Sequence, residues 1–180
     1  MFETIYNIFK LELDGEEFDS DEDALIAANL AMREILGDRD WKFLLKTSTL
    51  AAGTLSLAGI TDLDKVIDVW AYDSEEPLRK ATFQQRFDTS FDYWIDLANN
   101  AIVLINEEYQ STALVVDYKY KPADITDTVD PLTVSHLNAL IAYRMGLNYF
   151  RKDQDTTIYN ILEKKEDQVM ELLIMHNESL

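Results

Sequence analysis

Two histidines, no cysteine and 34 carboxylates are what this 180-residue chain offers for building a catalytic or metal centre. His136 and His176 lie far apart, and neither has a second histidine three or four positions away, the spacing that puts two imidazoles on one helical face for zinc. His136 falls on the apolar stripe of an expected helix and reads as a structural histidine. The lack of cysteine removes disulfides, thiolate metal sites and cysteine nucleophiles, and identifies no compartment. Asp19-Ser20-Asp21-Glu22-Asp23 has the alternating carboxylates that open a calcium-binding EF-hand loop. Counted from Asp19, however, position six is Ala24 instead of glycine and position twelve is Leu30 instead of a bidentate glutamate. These acids read instead as charges at a helix start. Five glycines supply no Gly-x-Ser-x-Gly elbow, phosphate loop or dinucleotide fingerprint. General acid–base work by paired carboxylates needs a pocket and shifted pKa values that a sequence does not display. No catalytic residue, cofactor or metal ligand is therefore assigned, and a non-enzymatic protein is expected.

The net charge of −18 is concentrated early: residues 1–40 hold 12 acidic and three basic residues, a net of −9. A tight grip on phosphate backbones needs clustered Lys and Arg, so nucleic-acid binding is disfavoured. An acidic surface suits a polyanion that must slide past without sticking, because like charges repel over about 8 Å at physiological salt. An ordinary acidic protein surface accounts for the composition equally well. No run reaches the ~18 apolar residues of a membrane span, and no signal peptide is evident, so a soluble protein, intracellular where it is made, is expected.

The elements that would position any site are clearest at the two ends. Near the C-terminus a helix is expected over 131–152, with Asp130 as N-cap and Pro131 at the first helical position. Its stripe is His136, Leu140, Tyr143, Leu147 and Phe150, with Leu137 and Ile141 beside it. A second stripe of Ala139, Ala142 and Gly146 is small enough for another backbone to come close. A last helix follows over 156–175. Its end, Val169, Met170, Leu172, Leu173, Ile174 and Met175, is apolar almost all round, and one core cannot cover every side of a helix. A second surface, from a partner or another subunit, is expected there; the plainer reading is an amphipathic helix with a frayed end.

At the N-terminus, Phe2, Ile5 and Phe9 share one helical face. After Asp14-Gly15, Ser20 is placed to cap a helix whose first turn carries Asp21, Glu22 and Asp23, next to the positive end of the helix dipole. Leu25, Ala28, Met32, Ile35 and Leu36 follow at helical spacing, and Gly37 ends the helix. Trp41, Phe43 or Leu44, and Leu45 then anchor the helical section.

From Thr47 the pattern turns to strands. Segments 47–51 and 54–58 flank Ala52-Gly53 as a hairpin, and 63–72 is an extended segment buried partly on both faces. Residues 78–81 form a candidate short strand, and 82–87 a short helix or turn with Phe83 and Phe87 inward. Segments 91–97, 101–105 and 112–121 complete about five to seven short strands, in a small antiparallel sheet, sandwich or partly open barrel. The fold class expected is α+β, a helical bundle with an inserted β region: helices over 1–46, strands over 47–125, and a closing helical hairpin over 126–180.

The order of these features resembles the head-to-tail adaptor (connector, or head completion) proteins of tailed bacteriophages. The resemblance is carried by Asp40-Trp41-Lys42-Phe43-Leu44 after the first long helix. Asp130-Pro131 through His136, Ala139-Leu140, Ala142-Tyr143 and Tyr149, then 153–155 with Tyr159, Leu162 and Leu172, carry it further. It spans residues 20–175 through packing patterns and has no catalytic signature. The middle segment, with Trp70, Phe83, Phe87 and Phe91, is more elaborate than a minimal member's, and the acidic N-terminal extension is long. The latter leaves open a closer likeness to the tail-tube adaptors of short-tailed phages.

The resemblance implies a ring of the chain itself, commonly of twelve copies, between the portal protein and the tail or next neck protein. DNA would pass by without specific binding, and no membrane is involved. The location implied is the virion neck, with the host cytoplasm during assembly. Val169, Met170, Leu172, Leu173, Ile174 and Met175 become the contact with portal or neighbouring subunit, and Glu16, Glu17 and Asp19 a candidate acidic channel surface. The alternatives are a binding module whose strand-rich middle holds a peptide or small ligand, and a carboxylate-using enzyme.

Overall fold

The computed structural model describes residues 2–13, 15–126, 134, 136–150 and 156–180. The fold is α+β, with two helices on either side of a strand-rich middle, and it divides into two compact units, Met1–Phe43 with Pro122–Leu180, and Leu44–Lys121.

The first unit is helical: α1 (Phe2–Glu12), α2 (Asp21–Gly37), α3 (Leu137–Phe150) and α4 (Thr156–Glu178). Helix α2 starts where its chemistry dictates. The Ser20 Oγ accepts the Asp23 backbone N–H at 3.1 Å, satisfying one of the donors left over at a helix start, and three acids occupy the first turn. Helix α3 is the central element, packed against α1, α2 and α4. Leu137, Leu140, Ile141, Ala142, Met145, Gly146, Leu147 and Phe150 are buried, which is more than one stripe and matches a helix with neighbours on several sides. At Gly146 α4 comes close: a Cβ there would lie 2.9 Å from Leu162 Cδ1 and 3.7 Å from Leu13 Cδ1.

Polar contacts pin this packing at its edges. Arg144 on α3 donates Nε–H to Glu166 on α4 and lies 3.6 Å from Glu34 and 3.9 Å from Asp38 at the end of α2. Lys165 on α4 pairs with Glu12 on α1. The Trp41 indole N–H donates to Ile35 O at 3.0 Å, and Asn177 Oδ1 accepts the Lys42 N–H at 2.5 Å. Returning from the strands, the chain is held by Asn29, whose amide donates to Ile125 O at 3.0 Å and accepts Ile125 N–H at 2.7 Å.

The second unit holds five strands: β1 (Leu45–Leu50), β2 (Leu63–Ala71), β3 (Tyr93–Asp96), β4 (Ala101–Leu104) and β5 (Leu114–Tyr120). An antiparallel sheet of order β1-β5-β2 and a β3-β4 hairpin share one core containing Leu50, Leu57, Val69, Tyr93, Ile102, Leu114 and Val116. Register shifts in β2 explain why Val66 and Val69 are both buried although three apart. The irregularity between Val66 and Asp68 advances the inward phase by one residue.

Several expectations are corrected. The hairpin about Ala52-Gly53 does not form. β1 pairs with β5, and 54–58 instead meets β4 through a Ser56–Ala101 bridge, because burying Leu57 beside Ile102 outweighs the local turn signal. Residues 78–81 make only a single bridge, Lys80 to Tyr93. Phe83 and Phe87 point outward, 64% and 81% exposed, because the turn between them is a short 3-10 segment, Phe83–Gln85, with no face turned to the core. Leu45 is exposed, while Trp41 and Leu44 are buried. His136 is not on the stripe: it is exposed, with φ of 70°, just before α3. The Asp130 cap and Pro131 lie outside the described residues.

Candidate functional site

Among the described residues no group of three or more His, Asp or Glu side chains converges as a metal site. His176 is in the last turn of α4. Among the described residues the helical unit presents apolar surface on α4 and in a groove.

The first is on α4. Leu162, Leu173 and Asn177 turn into the unit, with Glu166 on the same face. Burial pushes the Glu166 carboxyl up from its ordinary value, and the Arg144 guanidinium bonded to it works in the opposite direction. Away from this face lie Ile161, Leu172 and Met175, all exposed, at 45% for Leu172 and 66% for Met175. Ile161 and Leu172 are 11 residues apart, close to three turns at ~3.6 residues per turn, and therefore on one side. Val169, Met170 and Ile174 are half-buried between the two faces. Of the six residues expected to make the contact, Leu172 and Met175 are on the outside, three are at the margin, and Leu173 is core.

The second is a groove of about 670 Å³ between α2, α3 and the acidic segment before α2. Its apolar lining is Phe18, Ile26, Ala27, Leu30, Met145 and Tyr149, and its acidic residues are Glu17, Asp19, Asp23 and Glu34. Phe18 is seated by ring contacts with Phe9 at 4.9 Å and Tyr149 at 5.3 Å between centroids, and its N–H donates to the Tyr6 hydroxyl at 3.2 Å. Among the described residues no Lys or Arg lines the groove. Two cations reach its acids from outside: Lys10 pairs with Glu17 at 2.9 Å, and Arg144 is near Glu34. The bond to Glu17 is the largest cause holding the Lys10 ammonium above its ordinary pKa.

Glu17 and Asp19 of the expected acidic surface thus belong to the groove, while Glu16 accepts a long bond from the Tyr149 hydroxyl at 3.5 Å. The groove itself went unpredicted. Its signal was Ile26 and Leu30, an apolar pair at helical spacing that lies off the buried stripe of α2.

Among the described residues no helix is long and apolar enough to cross a membrane. Comparison with protein-family models and with curated protein sequences finds no match to this chain.

Proposed function

We propose that the chain is a structural subunit of a tailed-phage neck, a head-to-tail adaptor ring that joins the portal protein to the tail and surrounds the path of the DNA. The observation that carries this reading is the exposed apolar pair Leu172 and Met175, with Ile161 three turns earlier on the same side of α4, away from its buried residues. Exposed apolar side chains on one side of a long helix are what a docking element presents before it meets its partner. The acidic balance of the chain supports the second half of the reading, since a wall of like charge lets DNA pass without adhesion. The Trp41 and Phe43 pair, stacked at 5.2 Å between centroids, holds the Asp40-Trp41-Lys42-Phe43-Leu44 segment on which the resemblance rests. In this reading the subunit is in the host cytoplasm during assembly and in the neck of the virion afterwards. It acts by shape and contact, with no chemistry of its own.

The test is binding to purified portal protein encoded by the same genome, followed by sedimentation. Co-sedimentation is expected, and it is expected to be lost in Leu172→Asp/Met175→Asp at unchanged far-UV circular dichroism. Failure of the folded wild-type chain to bind would overturn the reading.

A further inference from the structure

The groove between α2 and α3 has a complement elsewhere in the same sequence. Residues 78–87 carry Arg79, which pairs with Asp92 at 3.1 Å, together with Lys80 and Arg86, and no acid, in a chain of net charge −18. At the end of this stretch the Arg86 guanidinium lies 3.9 Å from the Phe83 ring centroid and 4.6 Å from that of Phe87, and its Nη1–H donates to Phe83 O at 2.7 Å. Phe83 also meets the Trp94 ring edge-on at 5.7 Å. The result is a preorganised tip, with one cation held between two exposed aromatic rings. Little side-chain freedom remains to be lost when such a tip binds, and aromatic and Arg residues are those that dominate contact energies.

We propose that the Phe83-Arg86-Phe87 tip of one copy docks in the α2–α3 groove of a second copy of this chain. The rings meet the apolar lining of Ile26, Leu30 and Tyr149, and the guanidinium meets Asp19 and Asp23, which form no ion pair among the described residues. Charge complementarity selects this occupant. The exposed apolar residues of α4 belong to a helix with five acidic residues and two lysines, which the acidic groove would repel. Tip and groove are different patches, so the contact is heterologous: every copy offers both, and copies add head to tail until a ring closes or a filament grows. The proposal takes from the adaptor reading only that copies of the chain assemble, and it supplies the contact by which they do.

The natural absence of cysteine makes a direct test simple. Ala27→Cys, in the groove, and Gln84→Cys, exposed on the tip, are prepared separately, checked for folding by circular dichroism, mixed and oxidised. Ile26→Cys replaces Ala27→Cys if the latter does not fold. Ala98→Cys, on the exposed β3–β4 turn, takes the place of Gln84→Cys in the control. The groove–tip pair is expected to give disulfide-linked heterodimer at least ~10-fold above the control pair. Asp19→Lys/Asp23→Lys should abolish the excess, and 0.5 M salt should reduce it, as expected for a screened contact. Heterodimer at the control level overturns the proposal. So does uptake by the groove of a synthetic Leu/Lys amphipathic helix with cross-linking still at that level, which assigns the groove to a foreign basic partner. Cross-linking by a chain that ignores portal ends the adaptor reading alone, and portal binding without cross-linking ends this one alone.

Discussion

Leu172 and Leu173 are neighbours in α4, and the ~100° between successive helical residues gives them opposite environments: Leu173 is fully buried and Leu172 is 45% exposed. An acidic substitution at one is therefore not equivalent to the same change at the other. Leu173→Asp should unfold the helical unit, and Leu173→Ala should cost about 2–5 kcal/mol. Leu172→Asp should stay within about 0.5 kcal/mol of wild type while losing attachment to its partner. Chemical denaturation beside a binding assay separates the two.

The close approach of α4 to Gly146 predicts a size limit. Gly146→Leu has to displace Leu162, and overpacking of this kind costs about 1–3 kcal/mol. Adding Leu162→Ala should recover part of that loss, a coupling that a double-mutant cycle of denaturation midpoints detects. Strict additivity of the two changes would show that α3 and α4 are not in contact here.

Asp92 gives the strand-rich unit a pH dependence of defined sign. Burial pushes its carboxyl up, but the Arg79 side chain and backbone N–H, at 3.1 and 2.8 Å, outweigh that and hold it below the ordinary value of 3.8. A depressed carboxyl stabilises the fold above its unfolded pKa, and that contribution is lost as pH falls through the folded value. Asp92→Asn should therefore cost about 1–3 kcal/mol at pH 7. The gap from wild type should begin to shrink as pH falls below 3.8 and close only below the depressed folded value, where the Asp92 carboxyl too is neutral. Urea melts at several pH values read this directly.

The Tyr93 hydroxyl is buried in the strand core with no hydrogen-bond partner among the described residues, and burial raises its pKa. A hydroxyl in that position is desolvated without compensation. Tyr93→Phe should leave stability unchanged or raise it by up to about 1 kcal/mol, measured as a shift in the denaturation midpoint.

Much of the helical unit could be read from local chemistry. Ser20 followed by three acids marks the start of α2, and the Ala139, Ala142 and Gly146 stripe anticipated that α3 would have close neighbours, because both signals act within a turn or two of helix. The strand pairing could not be read in that way. β1 and β5 are joined across more than sixty residues, and the Ala52-Gly53 turn signal says nothing about which distant edge is free. The register shifts of β2 are likewise invisible to a period-two pattern, which assumes unbroken pleating. The outward turn of Phe83 and Phe87 was missed because aromatic residues are expected inside. The cation between them became apparent only once Arg86 was placed. On α4 the apolar excess was legible, but its division into buried Leu173 and exposed Leu172 required the helix in its packed position.

The proposed adaptor role is read out by electron microscopy of the purified protein mixed with portal protein of the same genome. A second ring of density coaxial with the portal is expected, absent when Leu172→Asp/Met175→Asp replaces the wild type. Bare portal rings in the presence of excess folded wild-type protein would contradict it.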